Sequence, residues 1–156
     1  MSKKVKVEIL MGFILAAVFI LAVVLFVLQQ YEFKLLNSVS YNGFEVAFGN
    51  GDQEGILLFC VPFFLSIAAA AAAVLASLKI LKINSSILFA VCAVFALFSA
   101  IVYLSTYFGV LDSYRTNLID LSDKVNWAFA FWAGFSVQCV ALAGSVYASV
   151  MGIKNR

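Results

Sequence analysis

The chain has 156 residues, 65% of them hydrophobic and 12% charged, and its mean hydropathy is +1.07. About a quarter of the residues in an ordinary soluble domain are charged, so this composition excludes that class. The net charge is only +2 and there is no histidine, which removes the commonest metal ligand and the commonest general base.

Four apolar runs reach the roughly 20 residues that a bilayer crossing needs: 9–28, 56–78, 87–109 and 127–150. They predict an all-α integral membrane protein, an antiparallel four-helix transmembrane bundle forming one domain over residues 1–156. The first run follows a short basic segment containing Lys3, Lys4 and Lys6 and leaves through Val27-Leu28-Gln29-Gln30-Tyr31. No small-residue cleavage site follows it, so it reads as an uncleaved signal-anchor helix.

Residues 29–55 form the longest polar stretch. Within it, Tyr41-Asn42-Gly43-Phe44 predicts a β-hairpin closed by a type I′ turn, because Asn and Gly tolerate positive φ. Pairing outward from that turn sets Tyr41 opposite Phe44, Val39 opposite Val46 and Asn37 opposite Phe48 on one apolar face. A lone hairpin is marginal in water, so this face needs a support. The supports open to it are the segment from Tyr114 to Val125, the membrane surface, a second copy and another protein. Tyr41, Phe44, Val46 and Phe48 are the candidate interaction residues. The connector 49–55 is glycine-rich and acidic.

Pro62 is expected to kink the second span near one end. Six alanines at 68–73, with Ala76 and Ser77, give that span a small face open to close helix approach. The short turn 79–86 makes spans two and three antiparallel neighbours, with Asn84 or Ser85 as the helix cap. In 110–126, Tyr114, Leu118, Leu121 and Val125 recur at helical spacing, which predicts a short amphipathic helix or an extension of span three. Trp127 and Trp132 suit the interfacial end of the fourth span. That span carries Gly144, Ala148 and Gly152 as a small-residue ridge, with Ala141, Ser145 and Ser149 beside it. Gln138 lies near its middle and needs a hydrogen-bond partner at depth, Ser99 or Ser66 being the candidates. Cys60, Cys92 and Cys139 all fall in spans and read as small packing residues.

The charges set the orientation. Residues 29–55 and 110–126 hold Lys34, Arg115 and Lys124 against Glu32, Glu45, Asp52, Glu54, Asp112, Asp120 and Asp123, whereas the termini and 79–86 are basic. The positive-inside rule therefore places both termini and 79–86 in the cytoplasm and the other two loops outside a plasma (cytoplasmic) membrane. The N-terminal lysines suit anionic lipid headgroups and call for no nucleic acid.

No protease, hydrolase or nucleotide-binding motif is present, and no interior of a span holds an ionisable residue of the kind that marks pumps and coupled transporters. Asp112, Asp120 and Asp123 form an acidic cluster that reads as a solvated face. No catalytic residue, metal ligand or cofactor is predicted.

Four spans, both ends inside and a longer first outer loop with a hairpin: this layout resembles the claudin and peripheral-myelin-protein superfamily. The family's Trp, Gly-Leu-Trp and paired cysteines are absent from residues 29–55, so no family site carries over. The cysteine-free exterior is similar to that of bacterial cytoplasmic-membrane proteins. The expected function is that of a non-enzymatic membrane protein acting through contacts of its outer hairpin, with a second copy or with another membrane or extracellular protein. An oligomeric channel or transporter accessory subunit, and a membrane immunity or stress-protection protein, are the alternatives.

Overall fold

The computed structural model describes residues 3–34, 38–50, 54–78, 84–115 and 120–154. Four long helices cross from end to end: α1 (Lys3–Val27), α3 (Val61–Leu78), α4 (Ser85–Ser113) and α5 (Phe129–Lys154). Each, α3 together with the turn before it, is long and apolar enough to span a membrane. Between α1 and α3 lie β1 (Gln29–Lys34), β2 (Ser38–Asn42) and a short helix, α2 (Gly43–Phe48). Between α4 and α5 lies β3 (Val125–Trp127). The three strands form one antiparallel sheet in the order β2-β1-β3, so strands from the two connections share one cap.

The sheet corrects the predicted hairpin. β2 pairs with β1, through Tyr31–Tyr41, Glu32–Ser40, Phe33–Val39 and Lys34–Ser38, and the turn joining them falls at 35–37, outside the described residues. The expected partner Asn37 lies there too. Asn42 closes no turn. It is the N-cap of α2: its side chain accepts from the Phe44 and Glu45 amides, while the Glu45 carboxylate accepts from the Asn42 N–H at 2.8 Å. This reciprocal pair is a capping box, and it satisfies helix donors that a type I′ turn would leave open. Phe44, Val46 and Phe48 are consequently helical, and Gly49, not Gly43, is the positive-φ glycine among the described residues.

Three boundaries also move. The second crossing, Leu57–Leu78, changes from 3₁₀ to α-helix just before Pro62. A 3₁₀ turn over Leu57–Cys60 precedes α3, and Pro62 sits in the first turn of that helix, where a missing N–H costs little. α4 runs on past Gly109 to Ser113, and Asn84 caps its start by accepting from the Ser86 amide. No amphipathic helix follows α4 among the described residues: Arg115 bridges to Asp120, a 3₁₀ turn covers Ser122–Lys124, and Val125 begins β3. Leu118 lies outside the described residues.

Helix lengths explain the cap. At 1.5 Å per residue, the 29 residues of α4 extend ~44 Å, well beyond a hydrocarbon core of ~30 Å. The 18 residues of α3 reach only ~27 Å, so the Leu57–Cys60 turn completes that crossing. The core divides accordingly. Away from the sheet it is built from Ala16, Ala69, Ala73, Ala76, Ala96, Ala141 and Ala148, together with Leu15, Phe19, Phe89 and Cys92. Toward the sheet it is aromatic: Phe26, Tyr31, Tyr41, Phe59, Tyr103 and Phe131.

Candidate functional site

The sheet is fixed to the bundle through β1. Gln30, fully buried, turns its side chain back onto the end of α1. Its Nε2 donates to the carbonyls of Leu25 (2.8 Å), Phe26 (3.1 Å) and Leu28 (2.8 Å), groups that a helix C-terminus leaves without partners. Its backbone carbonyl accepts from the Ala128 N–H at the start of α5. One residue therefore joins the first strand, the first helix and the last helix. A register shift between Gln29 and Tyr31 lets Gln30 and Tyr31 both be buried in succession.

Above Gln30 the aromatic side chains interlock. Tyr31 stacks on Tyr41 with ring centroids 4.8 Å apart, and Phe33 stacks on Tyr114 at 4.3 Å. Tyr114 is hydrogen-bonded to Tyr31 and lies beside Tyr41; burial, the largest influence, pushes its phenol up to about 12. Phe59 sits at the centre, 5.1 Å from Phe26 and 5.2 Å from Tyr103. Trp127 reaches Phe131 at 4.3 Å and Tyr107 at 5.0 Å. Such pairs contribute about 0.5–1.5 kcal/mol each beyond area burial. The β1–β2 hairpin thus rests on Tyr114, at the start of the Tyr114–Val125 segment proposed from the sequence as one of its supports, and on β3, which begins at that segment's last residue.

The charges at this end are paired at the surface: Lys34 with Glu32 at 3.1 Å, Arg115 with Asp120 at 3.4 Å and Lys124 with Asp123 at 3.1 Å. Exposed pairs of this kind are worth about 0–1 kcal/mol. Ser122 donates to Asp120 through its hydroxyl (2.6 Å) and its backbone N–H (3.0 Å), and these bonds, with Arg115 nearby, hold that carboxyl below its usual range. Asp120 and Asp123 therefore have partners of their own, and no metal-binding cluster occurs among the described residues.

The four candidate interaction residues are divided by the fold. Tyr41 and Val46 are buried inside the cap, Phe44 is 36% exposed, and Phe48 is 61% exposed. What remains open is the sheet's two outer edges, that of β2 and that of the three-residue β3, neither of which pairs with a further strand among the described residues; β2 offers the longer one. Ser38 and Ser40 are exposed along it, with no lysine or proline within β2 to guard the edge.

A second polar feature runs inside the bundle. Gln138 donates from Nε2 to the Ser66 hydroxyl at 2.8 Å, linking α5 to α3. Bonds of this kind within membranes average about 0.6 kcal/mol. Tyr103 lies against Gly134, and Ser86 against Gly152. Counting along α4 and α5 from those contacts sets Ser99 level with Gln138 and Cys92 level with Ser145. Ser99, Thr106, Ser145 and the Gln138 carbonyl oxygen are buried without protein partners, whereas Ser77 bonds back to the Ala73 carbonyl at 2.8 Å. The small ridge of α5 packs within the chain: Gly144 faces Leu15 of α1, Gly152 faces Ser86 of α4, and Ala148 is buried between them in sequence. No buried polar side chain among the described residues is a carboxylate, amine or imidazole.

Sequence reasoning named Gln138 and its partner Ser66, but missed Gln30, the Tyr31–Tyr41–Tyr114 cluster and the rest of the polar seam. The seam had a readable signal: Ser99 and Thr106, and Gln138 and Ser145, are both seven residues apart and so share a helix face. Comparisons with known protein families, curated proteins and solved structures return no match to this chain, and no family is assigned.

Proposed function

We propose that this protein is a non-enzymatic membrane interaction or accessory protein that binds a partner by strand addition at the free edge of β2. The observation that carries this reading is the unguarded edge itself. The outward backbone groups of an edge strand, backed by the aromatic cap, are a ready template for an extended segment. The lysine and arginine distribution supports an orientation with both termini in the cytoplasm and the sheet outside. A second copy, or another membrane or extracellular protein, supplies the added strand.

The oligomeric channel draws less support. Along the described parts of the four spans the exposed serines and threonines are Ser105, Ser136 and, at a helix end, Ser113, whereas the other hydroxyls turn inward. The outward faces thus offer no polar stripe to line a shared pore.

Photo-crosslinking from Ser40 in native membranes tests the proposal. A ladder of self-multiples indicates self-assembly, and one discrete heavier product indicates a different partner. Ser40→Lys, which guards the edge with a charge, should abolish either product while leaving the helical content unchanged. Products confined to the single chain would overturn the reading.

A further inference from the structure

The exposed face of α2 is made of phenylalanine alone. Phe44 and Phe48, four residues apart, are its two exposed side chains, and its single charge, Glu45, is folded back onto the Asn42 N–H. Polar side chains therefore do not cover this face.

Its surroundings identify what does. The Phe44 ring lies 5.3 Å from Phe26, near the end of α1, and 5.1 Å from Phe63, in the first turn of α3. Both belong to membrane-spanning helices. Gly43 approaches so close to the Phe26 carbonyl and ring that a Cβ there would overlap them, which holds α2 against the end of α1. The other end of α2 is tied to the start of the second crossing. The Ile56 N–H donates to the Val46 carbonyl at 2.8 Å, and Gly55 packs on the backbone of residues 47–49. The Leu57–Cys60 turn that follows is needed to bring that crossing to bilayer length, and Leu57 and Leu58 are both exposed on it. Phe44, Phe48, Leu57, Leu58, Phe64 and Ile67 are all exposed on these joined elements, and Phe63 carries ring contact from Phe44 to Phe64 at the start of α3.

We infer that α2 lies in the plane of the membrane boundary on the sheet side, with Phe44 and Phe48 seated among phospholipid glycerol and upper acyl groups. Short apolar helices held at this level bury their aromatic face in the headgroup–acyl boundary. The occupant is bilayer lipid because the patch is a direct extension of the lipid-facing surface of a span. Since α2 follows β2 without a break, this seat holds the free strand edge just above the bilayer. The inference does not depend on strand addition: the lipid seat and the β2 edge are separate surfaces.

The test uses the full chain, with a carbene-generating diazirine phenylalanine in place of Phe48, reconstituted in phosphatidylethanolamine and phosphatidylglycerol vesicles and photolysed. Intact mass then distinguishes phospholipid, water and protein adducts. The same probe at Phe64 supplies a lipid reference and at Ser38 an aqueous one. The expected result is a phospholipid adduct at 48 that exceeds the water adduct several-fold, as at 64. Water adducts at 48 matching those at 38 would overturn the inference, as would a crosslink to a second chain. A repeat at Leu57 guards against misplacement of one side chain: lipid at 57 with water at 48 would set α2 above the boundary and also refute it. Lipid adducts at 48 together with no intermolecular product at 40 would keep the seat and remove strand addition.

Discussion

The two ends of the bundle solve helix packing in opposite ways. Away from the sheet, α1, α3, α4 and α5 meet through alanine and glycine, and backbones come close enough for the Ser77 hydroxyl to lie against Gly12. Toward the sheet they meet through large rings, on which the sheet rests. In a membrane, water does not drive helices together, so association depends on packing and hydrogen bonds. Small residues achieve that by proximity, large rings by filling volume. The difference teaches that one bundle can be packed by small residues at one end and by rings where a sheet is attached.

The sharpest way to break this contrast is Phe59→Ala. The side chain is fully buried and touches rings from three helices, so its loss should destabilise the protein by about 3–5 kcal/mol. Detergent-titrated unfolding followed by circular dichroism would measure it, and loss of near-ultraviolet aromatic signal should precede loss of helix. At the opposite end, Gly12→Leu should cost about 1–3 kcal/mol by overpacking. A Cβ at that position already overlaps the Ser77 hydroxyl and comes within 2.8 Å of the Ala73 carbonyl. Here helix separation should appear first and the aromatic signal should persist, the reverse order to Phe59→Ala.

The smallest effect concerns pH. The Tyr114 phenol is pushed up to about 12 from 10.0, chiefly by burial, so the folded state favours its neutral form. A group whose folded pKa is raised contributes fully below its unfolded value and loses that contribution as pH rises through the folded value. The cap should therefore weaken between pH 10.0 and about 12. Tyr114→Phe should flatten that stretch of the stability profile, followed by the same near-ultraviolet signal, whereas a profile as steep as the parent's would assign the loss to another group.

The spans were legible because length and apolarity decide them, and the structure moves their ends by only a few residues. The sheet was legible in location but not in pairing. Asn42-Gly43 satisfies both a type I′ turn and, with Glu45 three residues on, a capping box, and local propensity alone does not choose between them. Phe44 and Phe48 fit either a strand face or a helix face, since four is a multiple of two and close to one helical turn. The third strand has three residues, Val125, Asn126 and Trp127, too few for alternation to show. Of the interaction residues, Tyr41 and Val46 are buried, and Tyr114, in the segment offered from the sequence as one support, lies beside Tyr41. Local sequence offered that segment among four supports but could not choose it, because the contact joins distant parts of the chain.

β1 lies in the centre of the sheet, with β2 from its own connection on one side and β3, which follows two further crossings, on the other. During synthesis it emerges with the first helix, yet its second edge and the carbonyl of Gln30 find their partners only when residues 125–128 have been made. The first strand translated is the last to be completed. The order of insertion thus runs as a loop that closes on its own beginning: α1 is placed early, and the arrival of α5 locks it.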